Sequence, residues 1–424
     1  MASSPLRPRM VAADLKGNIY DHPQLLMVCR RGAEISLPRP DELIPLPEES
    51  ELFLLPGRRA LGFDPDRGVL EELEELAVAA FVAPAHTLIA HPACVRAPGA
   101  PVLPLFAYGA VGFAHNRFYV CAKRVDADPR QEFKGIARSL LRKEALALAG
   151  RFPGNRLVRH LVHNCALKYA CPAARNFCLG RYEAPLPVSR ACNARCLGCI
   201  SRQDKDSPLG RTPQERLDFT PTAEEILEVM RLHASRETVA PIYSFGQGCE
   251  GEPLSEAPLI AEAVRKFRSG QGRGTVNINS NASRPAAVAE LAEAGLSSLR
   301  VSLNSARPEA YERYHRPQDY SFEQVVQSIR TAKAAGLYVS LNLLFFPGFS
   351  DAEEETAALI ALIQRERVDC LQLRNLNIDP DLYLEKMGDL ALGPCAGLLN
   401  ARKRLLLECP GLRLGYFNPP LDLD

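Results

Sequence analysis

The stretch Cys192-Asn193-Ala194-Arg195-Cys196-Leu197-Gly198-Cys199 spaces three cysteines as C-x3-C-x2-C, shortly after the apolar segment Leu186-Pro187-Val188-Ser189. Three thiolates this close can hold three irons of a cubane iron–sulfur cluster. The fourth iron then has no protein ligand from this loop and is open to a substrate or cosubstrate. Zinc is the alternative, because Cys196 and Cys199 alone form a zinc-type pair and Cys178 could complete a closed set of four ligands.

Outward from this loop, the chain alternates strand and helix from about residue 183. The spacing predicts strands at 185–189, 241–246, 275–281, 298–304, 338–346 and 369–376. It predicts helices near 222–234, 256–268, 284–294, 321–335 and 351–366. Repeated βα units favour a parallel sheet covered by helices. We therefore expect an α/β fold, an incomplete (β/α)6 barrel, whose ligands bind at the carboxyl ends of the strands.

The N-terminal third has a different pattern, with many prolines and short apolar segments. Residues 106–113 and 117–122 indicate two strands joined by a turn at His115-Asn116. Helical patterns occur at about 69–80 and 132–149. We expect an α+β domain rich in short strands over 1–150, a Cys/His-rich connector over 151–182, the barrel over 183–380 and a C-terminal extension over 381–424.

The cysteine loop resembles the signature of the radical S-adenosylmethionine (radical SAM) enzymes. The resemblance covers roughly residues 183–380, a little under half the chain. It implies a [4Fe-4S] cluster held by Cys192, Cys196 and Cys199, with S-adenosyl-L-methionine on the open iron. It also implies an electron donor such as flavodoxin or ferredoxin, reductive cleavage of the sulfonium, and a 5′-deoxyadenosyl radical that acts on a substrate.

One position of the loop departs from the family. The residue before the third cysteine is usually aromatic and lies beside the adenine, whereas this chain has Gly198. Leu197 or Ile200 would have to supply the apolar contact instead.

The second predicted strand ends in a loop that contains Gly251-Glu252-Pro253. The family motif at this place is Gly-Gly-Glu-Pro, which contacts the amino group of S-adenosylmethionine, and Glu250 replaces its first glycine. The resemblance implies that Gly251, Glu252 and Pro253 bind the cofactor. Cys249 precedes them and could contact the substrate or be structural.

Polar residues alternate along the third and fourth predicted strands. Asn277, Asn279 and Asn281 share one face of the third strand, and Asn281 at its end is the best candidate for ligand contact. Ser302 and Asn304 of the fourth strand resemble family positions that contact the ribose or carboxylate of S-adenosylmethionine. A solvated polar face is the alternative for both strands.

A second metal site is predicted just before the barrel. Histidines and cysteines alternate there as His160-x2-His163-x-Cys165-x5-Cys171-x6-Cys178. Cys165, Cys171 and Cys178 would ligate an auxiliary iron–sulfur cluster or zinc, and buried inert thiols are the alternative.

Composition limits the setting and the partners. The formal net charge is +1, so no overall field favours nucleic acid or a membrane surface. No apolar run of about twenty residues and no secretory signal are present, so we expect a cytoplasmic protein. Six of its 13 cysteines cluster in one stretch, where we expect metal binding rather than disulfides, and most of the scattered ones are expected to be small buried hydrophobic residues. A small molecule, a peptide or RNA all remain open as substrate, and no catalytic side chain is assigned. The alternative function is a non-catalytic zinc or iron–sulfur binding protein on a barrel scaffold.

Overall fold

The computed structural model describes residues 6–237 and 239–421. Its N-terminal part consists of β-strands, which are β1 Arg9–Ala13, β2 Ile19–Met27, β3 Cys29–Arg31, β4 Glu34–Ser36, β5 Leu43–Pro45, β6 Glu51–Asp64, β7 Val69–Phe81, β8 His86–Leu88, β9 His91–Pro92, β10 Cys94–Arg96, β11 Gly109–Ala114 and β12 Arg117–Arg124. Nine of them form one antiparallel sheet, and β4, β3 and β9 form a small second sheet. We call this part, residues 6–124, the N-terminal β region.

The helix predicted over 69–80 is wrong, because these residues form strand β7. The run Leu70-Glu71-Glu72-Leu73-Glu74-Glu75-Leu76 carries strong helix formers at helical spacing. β7 nevertheless pairs with β6 along a long hairpin, from Asp64↔Val69 to Glu51↔Phe81. Cross-strand pairing overrides the local preference here. The sheet therefore contains two strands of 14 and 13 residues, longer than expected.

Other N-terminal predictions are confirmed. His115 and Asn116 connect β11 and β12, and both have positive φ, 47° and 59°. Such a pair is typical of the tight hairpin turn whose twist matches that of the strands. The helix predicted within 132–149 is present as α1, Arg138–Arg151.

The connector is helical. After α1 come α2 Arg156–His160, a π-helix Leu161–Lys168 and α3 Pro172–Leu179. The π-helix is eight residues long, and such widened turns are uncommon and often lie at functional sites. It carries Cys165, and His160 is the last residue of α2.

Seven parallel strands form the sheet of the barrel, in the order of the sequence. They are β13 Glu183–Leu186, β14 Ile242–Phe245, β15 Thr275–Ser280, β16 Ser298–Leu303, β17 Tyr338–Phe345, β18 Cys370–Asn375 and β19 Arg413–Gly415. The helices between these strands are α4 Ala223–Arg236, α5 Ala257–Ser269, α6 Pro285–Ala294, α7 Pro308–His315, α8 Phe322–Ala334, α9 Glu353–Glu366, α10 Pro380–Met387 and α11 Leu398–Glu408. The α/β fold class and the incomplete barrel are confirmed. The described residues show no pairing between β13 and β19, so the sheet is open.

The strand count differs from the predicted six. β19 comes from the C-terminal extension and pairs in parallel with β18, from Cys370↔Arg413 to Gln372↔Gly415. Its three residues are too short to give a periodic signal in the sequence.

The two faces of the sheet differ in polarity. On β16, Leu299, Val301 and Leu303 are buried against the helices. The alternating face carries Arg300, which donates to the Asn279 side chain at 3.3 Å. Asn277 also lies on this inner face, where it accepts a hydrogen bond from Ser298 Oγ at 2.7 Å. The inner face of the open barrel is thus lined by polar groups, several of which bond to one another.

The N-terminal β region is bound to the carboxyl end of β18. Asn375 accepts from the backbone N–H of Leu88 (2.8 Å), and Asn377 accepts from that of Phe106 (2.6 Å). Asp379 forms a fully buried ion pair with Arg58 at 2.7 Å. The N-terminal β region therefore lies beside the edge of the sheet where the cysteine loop emerges.

Candidate iron–sulfur and cofactor site

The cysteine loop emerges from β13 and is held by the end of α7. The backbone N–H of Leu197 donates to the Tyr314 carbonyl at 3.0 Å, and that of Arg195 donates to the His315 carbonyl at 3.0 Å. Ala194 forms an isolated bridge with Pro317. These bonds fix the loop at the carboxyl edge of the parallel sheet, where ligands of such folds bind.

Burial raises the pKa of two thiols of this loop, Cys192 and Cys196. Burial raises the pKa of Cys192 to about 11, and the charge of Glu252 contributes. Burial raises the pKa of Cys196 further, followed by the charges of Cys199 and Cys192. Thiolates held this close repel one another unless a cationic centre lies between them, and the residues present therefore fit the cluster that the loop spacing predicts.

Two basic side chains contact the same sulfurs. His315 Nδ1 lies 3.3 Å from Cys196 Sγ, and Arg216 Nη2 lies 3.4 Å from Cys199 Sγ. Hydrogen bonds to ligand sulfurs tune the potential of an iron–sulfur centre. Neither residue was singled out for this role from the sequence, because both lie outside the cysteine loop.

The spacing of the sulfurs favours a cluster over a single zinc ion. Thiolates about 2.3 Å from one tetrahedral zinc lie roughly 3.8 Å apart. Within the described chain, the sulfurs of Cys192, Cys196 and Cys199 are not all within 4.8 Å of one another. Cysteine ligands at the corners of an iron–sulfur cube are more widely separated, which fits this arrangement.

The Gly251-Glu252-Pro253 loop lies against the cysteine loop. Gly251 N donates to Ser189 O at 2.7 Å and Glu252 N donates to Ala191 O at 2.8 Å. A Cβ on Gly251 would overlap the Ala191 carbonyl, so only glycine fits this approach. Pro253 begins the short 3-10 helix Pro253–Glu256.

The buried Glu252 carboxylate is hydrogen-bonded within the protein. It accepts from Ser280 Oγ at 2.6 Å, from Asn281 N at 2.9 Å and from Leu254 N at 3.0 Å. Burial raises the pKa of Glu252. Its carboxylate therefore joins the end of β15 to the Gly-Glu-Pro loop, a scaffold role that the motif alone does not reveal.

Glu250, which occupies the position of a glycine in the family motif, also accepts hydrogen bonds from neighbouring backbone segments. One of its carboxylate oxygens accepts from the backbone N–H groups of Val188 (2.7 Å) and Ser189 (2.9 Å), and the other accepts from Gln247 N (2.7 Å). Burial raises the pKa of Glu250 to about 7. Glu250, the residue that departs from the family motif, thus links the Gly-Glu-Pro loop to the segment that leads into the cysteine loop.

The other predicted cofactor residues have different surroundings. Asn281 donates to Asn193 Oδ1 in the cysteine loop at 2.9 Å. Asn304 is buried and donates to the Ala310 carbonyl (3.1 Å) and Tyr383 Oη (3.3 Å), so it supports α7. Ser302 lies on the polar inner face, opposite Asn342 of β17.

Gly198 has no room for the aromatic side chain that the family usually carries. A Cβ there would lie 2.5 Å from the Asn377 carbonyl oxygen and 2.8 Å from Tyr314 Oη. Leu197 is buried in an apolar cluster with Phe346 and Leu376. The segment after β18 therefore occupies the space that an aromatic residue would need.

Comparison with known proteins agrees with this geometry. The model of the radical SAM superfamily matches residues 186–360, which include the cysteine loop and β14 to β17. Residues 186–360 of this chain form a domain of the radical SAM superfamily.

The chain is similar to individual known proteins over only part of their length. Molybdenum cofactor biosynthesis protein 1 of Bos taurus is 30% identical over 194 residues, 44% of this chain and 27% of the relative. GTP 3′,8-cyclase of Limosilactobacillus fermentum is 30% identical over 177 residues, 40% of this chain and 47% of the relative. The solved structure of HydG, a maturase of the [FeFe]-hydrogenase, is 17% identical with a TM-score of 0.39, and the match covers 64% of this chain and 63% of that one. The chain thus spans about a quarter to a half of these two curated relatives.

The cysteines of the predicted second metal site of this radical SAM protein do not gather in one place. Cys165 lies with His160 and Cys249, all three buried. Cys178 is buried elsewhere, where the Arg236 side chain bonds to its backbone carbonyl at 2.9 Å. Cys171 lies outside the group of three, although its N–H donates to the Cys165 carbonyl at 2.8 Å.

No helix in residues 6–237 and 239–421 is both long and apolar enough to span a bilayer.

Proposed function

We propose that this chain is a radical SAM enzyme that acts on a polar, anionic substrate bound against the inner face of the open barrel. The observation that carries the proposal is a group of unpartnered polar atoms on adjacent strands. Arg300 Nε, Asn342 Oδ1 and Gln372 Oε1 are buried and have no hydrogen-bond partner among the described residues. A buried polar atom without a partner costs about 1–3 kcal/mol. A bound polar ligand that accepts from Arg300 and donates to the two amide oxygens would explain all three.

Register supports a single binding region. Asn342 of β17 is paired with Gln372 of β18, and Arg300 of β16 is paired with Ser340, two residues before Asn342. Residues two apart on a strand point to the same face. The three unpartnered atoms therefore belong to one patch of the inner face.

The charge of this patch favours an anion. Burial and, second to it, the neighbouring Arg374 guanidinium lower the pKa of Arg300 to about 9. Arg374 lies over the Tyr416 ring at 4.1 Å. Glu183, whose charge acts in the opposite direction on the pKa of Arg300, already accepts hydrogen bonds from Ser244 and Asn418. An anionic ligand would relieve the repulsion between the two guanidinium groups.

The proposal assigns separate residues to the cluster and to the cofactor. A [4Fe-4S] cluster with S-adenosyl-L-methionine on its open iron supplies, when bound, reductive cleavage of the sulfonium and a 5′-deoxyadenosyl radical. Cys192, Cys196 and Cys199 would hold the cluster, and Gly251, Glu252, Pro253, Asn281, Ser302 and Asn304 stay proposed for the cofactor side. An external reductant in a cytoplasmic setting completes the proposal.

The decisive experiment is cofactor cleavage. Anaerobically purified protein, reconstituted with iron and sulfide and reduced with dithionite, should form 5′-deoxyadenosine from S-adenosylmethionine. Cys196→Ala should abolish this product and the cluster absorbance, because one corner of the cube loses its ligand. Cys395→Ala, at an exposed position, is the matched control and should retain both. Product from the Cys196→Ala protein, or none from the wild type, would contradict the proposal.

The substrate class is tested by ligand binding. Curated relatives are named GTP 3′,8-cyclase, which makes GTP the first probe, with guanosine as its uncharged counterpart. We expect saturable GTP binding that weakens at least about tenfold in Arg300→Gln, while guanosine binds poorly to both; tenfold corresponds to about 1.4 kcal/mol. Equal binding of GTP and guanosine would contradict an anion-binding inner face.

A further inference from the structure

Three buried side chains outside the cysteine loop converge on one point. One ring nitrogen of His160 and the sulfurs of Cys165 and Cys249 lie within 4.8 Å of one another. His160 and Cys165 come from the connector, at the end of α2 and in the π-helix, whereas Cys249 comes from the loop that follows β14. Chain segments far apart in sequence thus bring two thiols and an imidazole together in the interior.

The distance between the sulfurs has the value expected for a shared metal ion. Cys165 Sγ and Cys249 Sγ are 3.8 Å apart. Two thiolates at about 2.3 Å from a tetrahedral zinc ion are separated by roughly 3.8 Å, whereas a disulfide needs about 2.05 Å. Both cysteines are free thiols.

One ring nitrogen of the histidine has no hydrogen-bond partner among the described residues and is free to bind a metal ion. His160 Nδ1 lies 3.3 Å from the Asn164 side-chain amide, and Nε2 is buried without a partner among the described residues. Ligation through Nε2 places the proton on Nδ1, and a half-turn of the Asn164 amide presents its oxygen to accept it. Zinc-bound histidines commonly have such an oriented second nitrogen.

We propose that His160, Cys165 and Cys249 bind one Zn²⁺ ion, separate from the iron–sulfur cluster. Two sulfurs and one nitrogen are ligands typical of zinc, and an ion held by these three side chains keeps a fourth position for water or another ligand. The ion connects the π-helix to the loop in which Cys249 is followed by Glu250 and Gly251. Cys249 O also accepts from Leu217 N at 2.7 Å, next to Arg216, which contacts Cys199. The proposed ion therefore stabilises the segments that contact the Gly-Glu-Pro loop and the cysteine loop.

The first test is metal content of the full chain. Replacing Cys192, Cys196 and Cys199 by alanine removes the iron of the loop, and the remaining metal is then measured by mass spectrometry. We expect about one zinc per chain. His160→Gln, Cys165→Ser and Cys249→Ser in this background should each lower zinc at least about tenfold. Cys178→Ser, at a buried cysteine outside the group, is the matched control and should retain it.

Several results would overturn the proposal. They are zinc that is unaffected by the three substitutions, equal loss of zinc in Cys178→Ser, about four irons in place of one zinc, or a Cys165–Cys249 disulfide found by mass spectrometry of unreduced protein.

A second test does not depend on how the His160, Cys165 and Cys249 variants fold. Zinc is removed from the triple-alanine protein with a chelator and replaced by Co²⁺. We expect thiolate-to-cobalt charge-transfer absorption that saturates at about one cobalt per chain and is displaced by zinc. Absence of this band in protein that retains its circular dichroism would contradict the site. Because the cluster is absent throughout, neither result depends on cleavage of S-adenosylmethionine.

Discussion

At the scale of single residues, close backbone approaches restrict the cofactor loops more than side-chain chemistry does. Gly251 and Gly198 both lie against carbonyl groups of neighbouring segments, which leave no space for a Cβ. Glu250 and Glu252 then hold these segments together by accepting backbone hydrogen bonds. The motif residues of this site thus bond mainly to neighbouring backbone segments, and these bonds determine the shape of the loops.

Gly251→Ala tests this interpretation directly. The new Cβ would overlap the Ala191 carbonyl, so the Gly-Glu-Pro loop must move away from the cysteine loop. Such overpacking costs about 1–3 kcal/mol, and we expect affinity for S-adenosylmethionine to fall roughly tenfold or more. Equilibrium binding to reconstituted protein measures this change. Gly150→Ala is the control, since nothing lies within 4 Å of a Cβ there. Equal affinities of both variants would show that the approach is unimportant.

At the scale of elements, the repeating strand–helix pattern was predictable and the inner face was not. Each of the six strands predicted in the barrel overlaps an observed one within a few residues, because its buried run is bounded by clear helix caps such as Thr222, which accepts from Glu225 N. Alternating polar residues, by contrast, fit a solvated face equally well. Only the structure shows that Asn277 and Asn279 bond to each other.

The ligands of the second metal site could not be predicted from the sequence either. Sequence spacing groups Cys165 with Cys171 and Cys178, which are neighbours along the chain. The fold instead brings Cys165 to Cys249, and no local pattern reports a contact between such distant segments. The helix predicted over 69–80 failed for a related reason, since its pairing partner β6 lies in another segment.

The loop between β17 and α9 contains a buried carboxyl group with a testable pH dependence. Asp351 accepts from Gly348 N at 2.7 Å, and its Oδ2 has no partner among the described residues. Burial raises the pKa of Asp351 from 3.8 to about 6. The folded protein therefore holds this proton more tightly than the unfolded chain does. Its contribution to stability is complete below pH 3.8 and is lost as the pH rises through about 6.

Asp351→Asn should remove this dependence while retaining the bond to Gly348. We expect the variant to be more stable than the parent at pH 7.5 by up to about 3 kcal/mol, with the difference shrinking toward pH 4.5. Urea unfolding in the Cys192, Cys196 and Cys199 alanine background avoids interference from the acid-labile cluster. Asp389→Asn, at an exposed carboxylate, should change little at either pH. A pH-independent difference for Asp351→Asn would contradict the raised pKa.

At the scale of the whole molecule, the N-terminal β region and the barrel are joined beside the cofactor site. Asn375, Asn377 and Asp379 follow one another at the end of β18, and each bonds to the N-terminal β region. His91 lies against Phe346 with ring centroids 4.7 Å apart, and Phe346 belongs to the apolar cluster that contains Leu197 of the cysteine loop. The N-terminal β region therefore packs against the same apolar cluster that supports the cysteine loop.

The Arg58–Asp379 pair should be the main electrostatic contact of this interface. Both side chains are 2% exposed, and Asp379 Oδ2 accepts from Arg58 Nη2 (2.7 Å) and Leu103 N (3.0 Å). Arg58→Met leaves the Asp379 charge buried without its partner, which costs about 3–5 kcal/mol. We expect a lower urea midpoint and faster proteolysis between the N-terminal β region and the barrel. Arg59→Met is the matched control, because the neighbouring Arg59 pairs with Glu72 in a partly exposed position, and such pairs contribute about 0–1 kcal/mol. If the two variants unfold alike, the buried pair does not hold the two parts together, and the apolar contact of His91 with Phe346 must do so instead.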